Sequence, residues 1–108
     1  MLPNAGAESD NERVVLLALE AIRDIACEES LQLKLTAEGA AEAISDLLTP
    51  RSKYDLFWLQ TVSVEAAEAL KALCEGQPTI KSIVAQSGAI PQLVELANIY
   101  QTYSKGPR

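Results

Sequence analysis

The chain has 108 residues, 9 basic and 15 acidic side chains for a net charge of −6, two cysteines and no histidine. Those numbers exclude a histidine base or metal ligand, and they leave no basic stripe of the kind that follows a nucleic-acid backbone. Hydrophobic residues make up 48% of the chain but aromatic ones only 5%, and the alanine- and leucine-rich remainder favours a single all-α domain of closely packed helices.

Residues 1–10 are small and polar and read as a flexible leader. Ser9 or Asp10 can cap the first helix, with Glu12 three residues after Ser9. Val14, Ala18, Ala21, Ile22 and Ile25 then recur at the spacing of one helical face, which predicts an amphipathic helix over about 11–28. Glu20, Asp24 and Glu28 follow one another at i+4 on a different face. Gly39 interrupts the next segment and suits a turn with positive φ. Beyond it Ala40, Ile44, Leu47 and Leu48 have helical spacing, which Pro50 ends. "PRSKYD" is the clearest interior loop.

A long helix is expected over about 56–75, with Leu59, Val62, Ala66, Ala69, Leu70 and Leu73 on one side and Gly76 and Pro78 stopping it. "TIKSIVAQSGAIPQLVELANIY" repeats the form short helix, glycine, short helix, with Pro91 at or near the first turn of the second. Residues 99–108 read as a flexible tail.

The second half restates the first. Ile22 matches Leu70 and Ile25 matches Leu73. After one gap near Ser30, Leu31 matches Ile80, Leu35 matches Val84, Gly39 matches Gly88, Ile44 matches Leu93 and Leu47 matches Leu96. Apolar positions and glycines coincide while surface residues differ, as stacked units require.

With those positions aligned, "EALKALCEGQPTIKSIVAQSGAIPQLVELA" closely resembles an armadillo repeat, the three-helix unit of β-catenin and importin-α. The resemblance covers about 11–98, as copies of about 11–50 and 56–98, and in the first copy Glu42 stands where the family starts a helix with proline. It implies a right-handed α-solenoid of helix triplets whose long third helices, here about 11–28 and 56–75, line a concave groove. Two features depart from the family. The copies lie 48–49 residues apart, beyond the ~40–47 of such repeats, with the excess in "TPRSKYDLFW". The tryptophan–asparagine ladder of importin-type grooves is also absent, because Glu20 with Asp24 and Glu68 with Ala72 occupy its places.

No residue pattern supports catalysis. The five glycines are dispersed, so no phosphate loop is present, and Cys27 and Cys74, 47 residues apart, have no activating neighbour in sequence and read as small apolar residues. Glu28 and Glu29 are adjacent on a helix and point apart. The chain is therefore expected to be non-enzymatic, without metal or cofactor. The first residues lack the marks of a signal peptide, and no apolar run approaches the ~20 residues that span a bilayer. No membrane insertion is expected, and the expected compartment is the cytoplasm or nucleus.

Two candidate contact regions remain. The acidic stripe comprises Glu20, Asp24 and Glu28 on the first long helix and Glu65, Glu68, Ala72 and Glu75 on the second. It suits a basic or extended segment of a partner protein, and the plain alternative is a solvated helix face. At the enlarged turn, Tyr54, Phe57 and Trp58 gather three of the five aromatics. Tyr54 and Trp58 are the contact candidates there, although Phe57 and Trp58 are neighbours and cannot both point inward on a helix, and the other reading is core or inter-repeat packing. The functional expectation is a protein-interaction scaffold. Its alternatives are an oligomerisation segment of a longer array, self-associating through the repeat ends, and the regulatory part of a larger enzyme.

Overall fold

A computed structural model describes residues 5–52 and 54–105, with side chains for 11–52 and 54–103. Seven helices and no strand are present among them: α1 (Ala5–Ala26), α2 (Glu29–Ala37), α3 (Ala40–Leu47), α4 (Leu56–Gln60), α5 (Val62–Cys74), α6 (Pro78–Gln86) and α7 (Ala89–Lys105). The all-helical expectation from the alanine–leucine composition is met. The molecule measures 41 × 40 × 20 Å, a slab two helix diameters thick.

Each helix of the first set touches one in the second: α1 lies along α5, α2 against α6, and α3 against α7 as well as α5. The core between them is aliphatic. Leu19, Ala26, Ile44, Leu48, Leu59, Val62, Leu73 and Ile80 are all fully or almost fully buried. On α5 the expected stripe of Val62, Ala66, Ala69, Leu70 and Leu73 is buried as a unit.

The turns follow from local chemistry. Gly39 and Gly88 sit at φ 90° and 94° between α2 and α3 and between α6 and α7, a left-handed conformation that side chains resist. At Gly88 an added Cβ would meet nothing within 4 Å, so substitution there isolates the backbone strain. Gly88→Ala is expected to lower the unfolding free energy by about 1–2 kcal/mol in urea titration, without changing the helical circular-dichroism spectrum. Pro78 occupies the first turn of α6, where its missing N–H is harmless.

Four sequence expectations are corrected. On α1, the apolar side chains packed on the core are Val15, Leu19, Ile22 and Ala26, whereas Val14, Ala18, Ala21 and Ile25 are exposed. The apolar run wraps around this helix, and α5 covers only one side of it. The long helix expected over 56–75 breaks at Thr61 (φ −122°, ψ −74°) into α4 and α5. Thr61 Oγ1 donates to the Phe57 carbonyl at 2.6 Å, and the Tyr100 hydroxyl donates to the Leu59 carbonyl, so carbonyls of the last turn of α4 are satisfied from outside the helix. Residues 99–105, expected in a tail, belong to α7. Ile99 continues the buried stripe of Leu96, and Tyr100 packs on the same core. Finally, α1 begins inside the expected leader, so the backbone at Ser9 and Asp10 is within the helix rather than before it. Residues 1–4 and 106–108 of the leader and tail lie outside the described residues.

Candidate functional site

The acidic positions of α1 and α5 come together because the two helices run side by side. Arg23 stands between them. Its Nη1 lies 2.7 Å from Glu68 Oε1, in hydrogen-bond geometry, and 2.7 Å from Glu65 Oε2, while its Nε is 3.9 Å from Asp24 Oδ1. Glu65 Oε2 thus has a charge partner but no hydrogen-bond donor aimed at it, a costly position for a carboxylate of a residue only 8% exposed. Burial pushes the Glu65 carboxyl above the ordinary carboxylate range. Arg23 opposes that shift, and the charges of Glu68, Glu20 and Asp24 add to it. These four carboxylates and one guanidinium form a single electrostatic unit.

The direction of that shift fixes a pH dependence. With its pKa raised by folding, Glu65 holds its proton more readily in the native state than in the unfolded chain. Its contribution to stability is therefore greatest below the ordinary carboxylate range and declines as pH rises through the raised native value. Urea unfolding of the wild type against Glu65→Gln, followed from acid to neutral pH, should show this decline in the wild type and a flatter profile in the variant.

The remaining stripe residues are arranged differently. Glu28 is exposed at the N-cap of α2 without a side-chain capping bond. Glu75 ends α5 and pairs with Lys71 at 3.3 Å on the exposed surface. Ala72, expected to face a groove, is half-buried against the core, and its carbonyl accepts from Gln32 Nε2 at 3.3 Å. Gln32 is the residue of α2 that reaches the end of α5 there.

Two residues that sequence reading passed over organise the surroundings. Arg23 is the cation of the acidic unit, and only the juxtaposition of α1 and α5 reveals its partners. Gln32, in the interior of α2, is buried. It donates to the Ala26 carbonyl at 2.8 Å and to Ala72, and accepts from Gln77 Nε2 at 3.0 Å, while Gln77 also donates to the Glu29 carbonyl. The sequence shows only a glutamine among the leucines of "SLQLKL", two of which, Leu31 and Leu33, are exposed while Gln32 is buried.

At the turn before α4, Asp55 Oδ1 accepts from the Trp58 backbone N–H at 3.1 Å and caps that helix. Trp58 is half-buried, packed on the core, with Nε1 donating to the Leu47 carbonyl at 3.1 Å. Phe57 is the exposed member of the pair. Trp58 therefore serves mainly as a packing residue, since its indole N–H is already committed. One edge of it lines an open cleft of about 530 Å3 with Asp46, Thr49, Arg51 and Asp55. Tyr54 is exposed and lines a separate cleft of about 310 Å3 against Glu95, Asn98, Ile99 and Thr102 of α7. The structure therefore brings Glu20, Asp24, Glu65 and Glu68 together and leaves Glu28, Glu75, Tyr54 and Trp58 at other places.

Among the described residues, no three or more Cys, Asp or Glu side chains are placed to hold a metal ion, and no helix is long and apolar enough to cross a membrane. Cys27 is exposed. The Cys74 thiol is pushed up by burial, with Lys81 opposing, which disfavours its thiolate. No family model, curated protein or solved structure matches the chain.

Proposed function

We propose that the protein is a non-enzymatic, armadillo-like α-solenoid module that holds a basic or extended segment of a partner protein against the acidic seam of α1 and α5. The observation that carries this reading is the convergence of Glu20, Asp24, Glu65 and Glu68 around one arginine. Clustered carboxylates repel one another and cost the fold stability, and a lysine- or arginine-bearing segment would relieve that cost. The repeat interpretation is supported by the pairing of α1 with α5, α2 with α6 and α3 with α7, and by the matched turns at Gly39 and Gly88. Packed helices would present the seam in fixed geometry, so the partner carries most of the ordering cost.

The test is a fluorescent, extended Lys/Arg-rich peptide followed by anisotropy over a salt series. Binding that weakens with salt is expected, and Asp24→Lys combined with Glu68→Gln should reduce affinity about tenfold or more. Equal binding by the variant, or no binding at low salt, overturns the reading. A second reading, an assembly segment, is favoured by the exposed apolar faces of α1 and α7.

A further inference from the structure

The apolar side chains left exposed on this molecule are not scattered. On α1, Val14 (64% exposed), Leu17, Ala18, Ala21 and Ile25 (41%) form one continuous stripe. In the 48-residue register that matches Ile22 with Leu70 and Ile25 with Leu73, their counterparts on α5 are Val62, Glu65, Ala66, Ala69 and Leu73. Every one of those is buried where α5 packs against α1 and α3. The far end of the molecule mirrors this. On α7, Ile90, Leu93, Val94 (56%) and Ala97 are exposed. In the register of Gly39 with Gly88 they correspond to Ala41, Ile44 and Ser45 of α3 and Leu48 at its C-cap, all buried in an element that packs on the second helix set. Each exposed stripe is thus the counterpart of one side of the contact already formed inside the molecule.

Charge follows the same register. Inside the molecule, Arg23 of α1 bonds Glu68 of α5. The counterpart of Arg23 is Lys71, and the counterpart of Glu68 is Glu20. Lys71 is exposed and, among the described residues, pairs with Glu75 four positions on, and Glu20 borders the exposed stripe of α1. The position matching the poorly bonded Glu65 is Leu17, so the internal contact's awkward carboxylate is replaced there by an apolar side chain.

We infer that two copies of this chain associate head to tail, the α5–α7 end of one packing on the α1 face of the next with Lys71 against Glu20, in the arrangement that joins the two helix sets within one molecule. Such a contact uses two different surfaces and does not close on itself, so it builds short open chains. The inference goes beyond partner binding at the acidic seam, and its test involves no peptide.

The experiment is sedimentation velocity on a dilution series of the 108-residue chain. The wild type should rise from the 11.6 kDa monomer towards multiples of it with concentration. Val14→Asp blocks the α1 face and Val94→Asp blocks the α7 face. Both sites are exposed, so circular dichroism should report unchanged folding. Each variant alone should associate about tenfold or more weakly than the wild type, yet their mixture should give one-to-one pairs, because each retains the face the other lacks. Adding Lys71→Glu to the Val14→Asp copy should weaken that pair, and adding Glu20→Lys to the other should restore it. A wild type that stays monomeric across the series overturns the inference and assigns the stripes to another occupant. Association that persists in Val94→Asp alone overturns it in favour of a symmetric α1–α1 contact, and a mixture that remains monomeric overturns it as well.

Discussion

Leu73→Ala should remove about 2–5 kcal/mol of stability, the cost of deleting a fully buried leucine from a core that relaxes only in part. The side chain has no exposure and lies on α5, the helix that touches α1, α3, α4 and α6, so collapse into the void would require several elements to move together. For a chain of this size the loss amounts to a fall of roughly 10 °C or more in the melting temperature. Ile25→Ala is the informative companion. It deletes an isomeric side chain of the same size at the matching position of α1, but 41% of Ile25 is exposed. At protein concentrations too low for association its cost should stay near ~1 kcal/mol. Equal losses at the two sites would show that α1 is covered on the side where Ile25 stands.

Gln32→Leu is expected to be the second most damaging change, at about 2–3 kcal/mol, despite adding apolar surface to the interior. The carboxamide satisfies the carbonyl of Ala26, the last residue of α1, one of the acceptors that a helix end leaves without intrahelical donors, and adds a second donor to the Ala72 carbonyl, which the Glu75 N–H also reaches. Its oxygen accepts from Gln77, which reaches back to the Glu29 carbonyl. Leucine fills the space but strands the Ala26 carbonyl in a buried setting and takes one partner each from Ala72 and Gln77, and a stranded group costs about 1–3 kcal/mol less whatever water recovers. Gln32→Glu keeps the shape but brings a charge and loses the donors, and should be no better at neutral pH. Chemical denaturation of the three proteins checks the order. If leucine is tolerated, the hydrogen bonds joining the ends of α1, α2 and α5 contribute little. Hydrogen exchange at the ends of α1 and α5 should then accelerate only if the loss is local.

The two regions of greatest interest differ in how much of them sequence reading can reach. Val62, Ala66, Ala69 and Leu73 on α5, and Val14, Ala18, Ala21 and Ile25 on α1, have identical spacing, and both sets read as inward faces. One is buried and the other exposed. Helical periodicity tells which side chains share a face, and it is silent on whether a neighbour covers that face. The acidic unit behaves similarly. The i+4 rows of carboxylates were legible, but the arginine that neutralises part of them was not, because Arg23 meets Glu65 and Glu68 across 42 and 45 residues of chain. Ala72 shares a helical face with Glu65 and Glu68 in sequence, yet it is half-buried against the core.

Local chemistry settled a great deal before any packing was known. The helical composition, the positive-φ turns at Gly39 and Gly88, the loop before Leu56 and the grouping of the α5 apolar residues on one face all follow from residue type and spacing over a few positions. Tertiary structure decided what no local pattern encodes: the break at Thr61 and the extension of α7 through Ile99 and Tyr100, joined by the bond from Tyr100 to Leu59. It also decided that Trp58 turns inward while Phe57 faces out, and which side of α1 the second helix set covers. The physical reason is the same in each case. Backbone conformation is chosen largely by neighbours in sequence, whereas burial and charge pairing are chosen by neighbours in space.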